Sequence, residues 1–144
     1  MKEKYPILAI DYGEKNLGLA VSDSKGIIAS PLEVLSITKK RNIDSIIEEI
    51  LQLCSEYKIK SILVGKPQEF VESHKKTTKK IDVFVDKLKR CTEIPILTYD
   101  EAYSTTEAQN VLTSSGQNVQ NSKQKIDKIA ATIFLQEFLN SENK

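Results

Sequence analysis

The sequence predicts an α/β protein on a five-stranded mixed sheet: an antiparallel three-strand meander plus two parallel strands, flanked by helices. Three observations carry this. Apolar residues run almost unbroken over Ile7–Ile10 and again from Leu17, separated by the turn Gly13-Glu14-Lys15-Asn16, which is the arrangement of a hairpin. The apolar period then changes to helical spacing at Ile43, Ile46, Ile47, Ile50 and Cys54. Beyond that point short apolar runs alternate with helical ones, the order of βα units whose crossovers lay helices on the sheet faces.

Taken in order, Ile7–Tyr12 is nearly all apolar and reads as a buried central strand. Leu17–Ser22 alternates apolar and small residues as its antiparallel neighbour. After the turn Ser24-Lys25-Gly26, a third strand is expected over Ile27–Ile37, bent at Pro31. A helix over about Arg41–Tyr57 and a short buried strand, Ser61–Gly65, follow. The stretch from Gly65 to Lys80 is polar, and Ile81, Phe84, Val85 and Leu88 mark a second helix. Pro95–Tyr99 is the last strand and ends in Asp100-Glu101. Ser104-Thr105-Thr106-Glu107 matches a capping box, with Ala108, Val111 and Leu112 on the face of its helix. Thr113–Lys123 reads as a polar connection to a final helix over about Lys125–Asn140, faced by Ile126, Ile129, Ala130 and Ile133. No repeat, low-complexity tract or linker divides the chain, so residues 1–144 are expected to form one domain.

Bulk properties exclude several classes. A chain of 144 residues builds a core without disulfides or structural metal. The net charge is +1, so any surface for nucleic acid must be local. No apolar run approaches the roughly 20 residues of a membrane span, and no membrane partner is expected. The start, MKEKYPILAID, lacks the form of a secretory signal. Cys54 and Cys91 form no CxxC pair; both read as buried apolar groups, and a reducing, cytoplasmic location fits. There is one histidine, His74. Catalysis must therefore come from carboxylates, hydroxyls, lysines or bound metal.

Asp11 ends the first strand, and Asp100-Glu101 end the last. If those strands run parallel, their ends share the edge where such sheets collect ligands. Asp127 stands near the start of the final helix, in line with Ala131, Phe134 and Phe138. Acids brought together from three segments repel one another. A hard divalent cation, Mg²⁺ or Mn²⁺, resolves the conflict. Two such ions about 3.5–4 Å apart serve phosphodiester hydrolysis and need no histidine. Taken singly, each acid also has a plainer use. Asp11 suits an Asx turn, Asp100 and Glu101 a solvated loop, and Asp127 the helix dipole.

Four segments, IDYGEKNLGLAVSD, ILVGKPQ, TYDEAYSTTEA and KIDKIAATIFLQEFL, lie in this order over nearly the whole chain. They resemble the YqgF/RuvX family of RNase H-like nucleases, described as Holliday junction resolvases and as pre-16S rRNA nucleases. The resemblance implies an RNase H-like fold. It also implies Asp11 as the first metal-binding acid, Asp100 or Glu101 as the second and Asp127 as the third, with Asp11, Glu101 and Asp127 catalytic. Glu101 is preferred over Asp100 because a strand period of two keeps adjacent side chains off the same face. The chain departs from the family where an arginine is usual and Ala102 stands, and near Asn16, where an arginine or lysine is usual. The asparagine, aspartate and glycine common after Gly-x-Pro are replaced around Glu69, Phe70, Val71 and Glu72. An arginine at 102 would suit bidentate contact with a phosphate.

Lys15, in the first turn, is a candidate phosphate contact or a solvated turn residue. Lys75, Lys76, Lys79 and Lys80 precede or open a helix, where the dipole disfavours cations. Tracking of a nucleic-acid backbone competes there with plain solvation. Ser104 and Thr105 are caps or phosphate contacts, and Tyr103 packs or stacks on a base. The expected function is a metal-dependent nuclease acting on structured nucleic acid, with 5′-end processing of pre-16S rRNA implied by the resemblance. One alternative is a resolvase of branched DNA, whose substrate would suit a homodimer. A second is a non-catalytic nucleic-acid-binding module of the same fold. A sugar-kinase-like or actin-like nucleotide-binding protein would need two such domains, and the length argues against it.

Overall fold

The structure, a computed structural model, describes residues 4–13, 15–66, 75–100 and 119–142, with positions 66, 75–78, 100 and 119–128 described by backbone alone. Its strands are β1 (Ile7–Tyr12), β2 (Asn16–Ser22), β3 (Ala29–Ser36), β4 (Ser61–Lys66) and β5 (Ile96–Asp100). Its helices are α1 (Ile43–Glu56), α2 (Lys75–Cys91) and α3 (Val119–Glu142). The strands form one sheet in the order β3-β2-β1-β4-β5. β1 pairs antiparallel with β2 and β2 with β3, while β1 pairs parallel with β4 and β4 with β5. The expected meander and parallel pair are both present, with β1 in the middle.

Local chemistry sets the element ends. The Asp23 carboxylate accepts the N–H groups of Ile27 at 2.7 Å and Ile28 at 3.0 Å. The Ile28 N–H, more than that of Ile27, holds this carboxyl below the usual carboxylate range. Those bonds keep Ile27 and Ile28 in the turn, both exposed, so β3 starts at Ala29 and not at Ile27. The β2–β3 register slips between Leu19/Glu33 and Ala20/Pro31, a bulge that seats proline on an edge strand. Asn42 caps α1 by accepting the Ser45 N–H at 2.9 Å. Helix α2 begins at Lys75, well before Ile81, so the lysines open the helix rather than precede it. Helix α3 begins at Val119, inside the stretch expected as a connection. The helix expected after Ser104 lies outside the described residues.

The two faces of the sheet bury different partners. Leu8, Ile10, Leu19, Ile62 and Val64 meet Ile46, Ile47 and Ile50 of α1 and Ile81, Phe84 and Leu88 of α2. Ile7, Ala9, Ala20 and Leu63 meet Ala131, Phe134, Leu135 and Leu139 of α3. The alanines on this second face leave room for large side chains from a single helix. The buried stripe of α3 is the one in line with Asp127; of the expected face Ala130 is buried, but Ile129 and Ile133 are only half-buried, which corrects that face in part. Apolar residues on both stripes of α3 hid the difference. Cys54 is buried as expected, but Cys91 is exposed at the end of α2.

The polarity of α3 follows from its last turns. Lys4, just before β1, pairs with Glu142 and lies 5.1 Å from the Phe138 ring centroid. Gln136 bonds the Ala29 N–H and the Ile27 carbonyl, each at 2.9 Å. The C-terminal turns of α3 therefore sit at the edge where β1 and β3 begin. Among the described residues no helix is long and apolar enough to cross a membrane.

Candidate functional site

Side chains alternate along β1. Ile7 and Ala9 face α3, Leu8 and Ile10 face α1 and α2, so Asp11 falls on the α3 face and Tyr12 on the other. Tyr12 confirms the parity by lying against Phe84 of α2, with ring centroids 5.2 Å apart. Asp11 pairs laterally with Gly18 of β2 and Gly65 of β4. The same row continues from Gly65 to Tyr99 of β5. A half-buried carboxylate thus stands between two residues that have no side chain. Glycine inside a strand leaves a place for another group to approach closely. A carboxylate flanked by residues without side chains is the hard oxygen donor that suits Mg²⁺ or Mn²⁺, so the chemistry of this one donor fits such an ion.

The turn after Asp11 is tightly fixed. A Cβ on Gly13 would lie 2.5 Å from the Asn16 carbonyl oxygen. The Lys15 carbonyl accepts the Ile37 N–H at 2.7 Å, and the Ser36 hydroxyl donates to Asn16 Oδ1 at 2.8 Å. Lys15 itself is exposed at this edge.

The remaining sequence candidates divide plainly. Asp100 is the last residue of β5, level with Lys66 of β4. Asp127 lies in α3, one turn before Ala131. Lys75 and Lys76 are the first two residues of α2, and Lys79 is exposed one turn on. Glu101, Ser104 and Thr105 lie outside the described residues. Among the described residues no three His, Cys, Asp or Glu side chains gather; of the four acids, Asp11 alone has its side chain described.

Charge is unevenly spread. Helix α2 holds six lysines and one arginine against two aspartates, and α1 holds four acids and no base. The chain as a whole carries only +1. Lys39 and Lys40, exposed between β3 and α1, join Lys15 and the first turns of α2 at the edge where β1 ends. Sequence reasoning passed over them, although Lys39-Lys40-Arg41 before an Asn cap was a readable signal. The starts of α1 and α2 lie at this edge too, and helix N-termini attract anions. The flanking of Asp11 by Gly18 and Gly65 was also missed, because strand register is not written locally.

Comparisons with known proteins agree on the fold and the relatives. A family model described as "RuvX: Holliday junction resolvase" matches residues 5–141. A "Putative pre-16S rRNA nuclease" of Halothermothrix orenii is 36% identical over 138 residues, covering 96% of each chain. One of the same description from Fusobacterium nucleatum is 36% identical over 134 residues, covering 92% of this chain and 94% of the relative. Among solved structures, T. thermophilus RuvC in complex with a Holliday junction substrate superposes with a TM-score of 0.59 at 15% identity, covering 95% of this chain and 94% of that one. That likeness shows the fold, which is RNase H-like.

Proposed function

The chain belongs to the RuvX family, and from that membership we propose that it is a nuclease, a hydrolase of phosphodiester bonds in structured nucleic acid. Its proposed substrate is the precursor of 16S rRNA, the role its relatives are named for, trimmed at the 5′ end in the cytoplasm. The observation that carries the reading is Asp11, half-buried between Gly18 and Gly65 at the carboxyl edge of the parallel strands.

Asp11, Glu101 and Asp127 are the residues that would hold the metal, two ions of Mg²⁺ or Mn²⁺. Bound there, the ions supply acidity to a water and positive charge for the leaving oxygen. Two features support this set. Leu97 and Tyr99 pack on the α3 face, so a strand continued by one residue would give position 101 to the face of Asp11 and position 100 to the other. The last turns of α3 sit at the edge where β1 begins, and the helix runs back over the sheet face that carries Asp11, which favours Asp127 near the edge where β1 ends. The residues at this edge then divide the work. The carboxylates orient and hold, Lys15 and the lysines of α2 bind flanking phosphates, and Ser104 and Thr105 would serve as further phosphate contacts.

A second reading is resolution of branched DNA, favoured by the description of the family model; a homodimer would suit its two-fold substrate. The deciding experiment incubates the protein with pre-16S rRNA and with a synthetic four-way junction, each with and without Mn²⁺. Metal-dependent cleavage of the rRNA that disappears in Asp11→Asn, with circular dichroism unchanged, is the expected result. Cleavage that survives this substitution contradicts the reading, and cleavage of the junction alone favours the second.

A further inference from the structure

On the opposite face of the sheet from Asp11, a cavity of about 270 Å³ opens beside Tyr12. Tyr12, Ile43, Val83 and Phe84 line it, with Lys79, Lys80 and Lys87 around them. The floor is apolar and partly aromatic. Val83 is 58% exposed, an apolar side chain left in water on a helix that otherwise presents charge there. The rim is cationic. Lys79 and Lys80 are exposed, and the acid paired with Lys87 is Asp44, at 3.6 Å. The volume is just below the range of drug-sized ligand pockets, which suits a single nucleotide and nothing larger. A base stacks on aromatic surface, and a phosphate is held by ammonium groups. The charge argues against an acyl chain, and the size against a peptide helix.

We propose that this cavity is a subsite for one unpaired nucleotide of the substrate strand. The base lies against Tyr12, Val83 and Phe84, and the phosphate on Lys79, Lys80 and Lys87. The proposal rests on the nuclease reading. Asp11 and Tyr12 are consecutive and face opposite sides, so a strand with its cleaved phosphate at Asp11 passes over the sheet edge and delivers a neighbouring nucleotide to this cavity. A continuous duplex cannot do so. The subsite therefore selects substrates with single-stranded nucleic acid next to the cleaved bond, such as the unpaired extension of an rRNA precursor.

The test reads binding without metal, so its outcome is separate from that of the cleavage reading. Adenosine 5′-monophosphate is titrated into ¹⁵N-labelled protein, with adenosine and inorganic phosphate as separate arms. The nucleotide is expected to shift the amides of Tyr12, Val83 and Phe84, at roughly tenfold lower concentration than either fragment. A fluorescent single-stranded oligoribonucleotide should compete with it. Val83→Glu, at an exposed helical position, should weaken binding of the oligonucleotide roughly tenfold; Lys79→Gln should weaken it and reduce its salt dependence. Unmoved amides, or oligonucleotide binding unchanged in both variants, overturn the proposal. Nucleotide binding in the cavity that the oligonucleotide does not displace also overturns it, as a site for free nucleotide only.

Discussion

Removing the Phe134 ring tests how α3 is held to the sheet, on which the placement of Asp127 depends. Phe134 is fully buried, packed among Ile7, Ala9, Ala20 and Leu63 and stacked 6.0 Å from the Tyr99 ring. Transfer of such a side chain to the interior is worth about 1.5–3 kcal/mol. The alanines opposite it cannot reach into the space left, so a cavity cost adds, and Phe134→Ala should lose about 3–5 kcal/mol in all. For a chain near this length that is a fall in Tm of roughly 10–15 °C. By contrast, Tyr99→Phe removes a hydroxyl that donates to Glu137 at 3.1 Å on the surface, and should cost under about 1.5 kcal/mol. Urea unfolding followed by far-ultraviolet circular dichroism measures both. If Phe134→Ala leaves too little folded protein to measure, Phe134→Leu should fall between the two. A loss below about 1 kcal/mol for Phe134→Ala, or no greater than that of Tyr99→Phe, would refute the packing described.

Two further predictions concern positions away from the site. Gly26 has φ 71°, and a Cβ there would lie 2.5 Å from the Tyr5 ring. Gly26→Ala should therefore cost more than the ~1 kcal/mol of an unsuitable backbone alone, read from the urea midpoint. Burial pushes the Cys54 thiol up to about 11 from its ordinary 9.0. The folded state thus keeps its proton to higher pH than the unfolded chain. This contribution is complete below pH 9.0 and declines as the pH rises toward 11, by up to about 3 kcal/mol. Unfolding measured across that range should show a shallower decline in Cys54→Ala, and alkylation of the native protein should reach exposed Cys91 well before Cys54.

Much of the fold was legible because neighbouring residues wrote it. The unbroken apolar run of β1 marked a central strand, and the change of period at Ile43 marked α1. Where the pattern failed, a tertiary or side-chain effect had overridden it. Lys75–Lys80 holds no apolar period, so the start of α2 was hidden. Ile27 and Ile28 look like strand, yet the Asp23 carboxylate binds their amides into a turn. Helix α3 offers apolar residues on two stripes, and only packing against Ala9 and Ala20 chooses between them. At the site, Asp11 and its strand end were visible, but its glycine neighbours depend on register. The contrast between Asp11 and Asp23, both in the opening segment, is instructive. Asp23 is committed to backbone amides of its own turn, whereas Asp11 stands on the α3 face of the sheet with a glycine beside it on each neighbouring strand.

The central claim is that acids from β1, the end of β5 and the start of α3 share divalent ions. Paramagnetic broadening by Mn²⁺ tests it most directly. Substoichiometric Mn²⁺ added to ¹⁵N-labelled protein should erase the amide signals of Asp11, Gly65, Asp100 and Asp127 together, and should leave them intact in Asp11→Asn. Broadening confined to one of these segments, or unchanged by that substitution, would contradict the account.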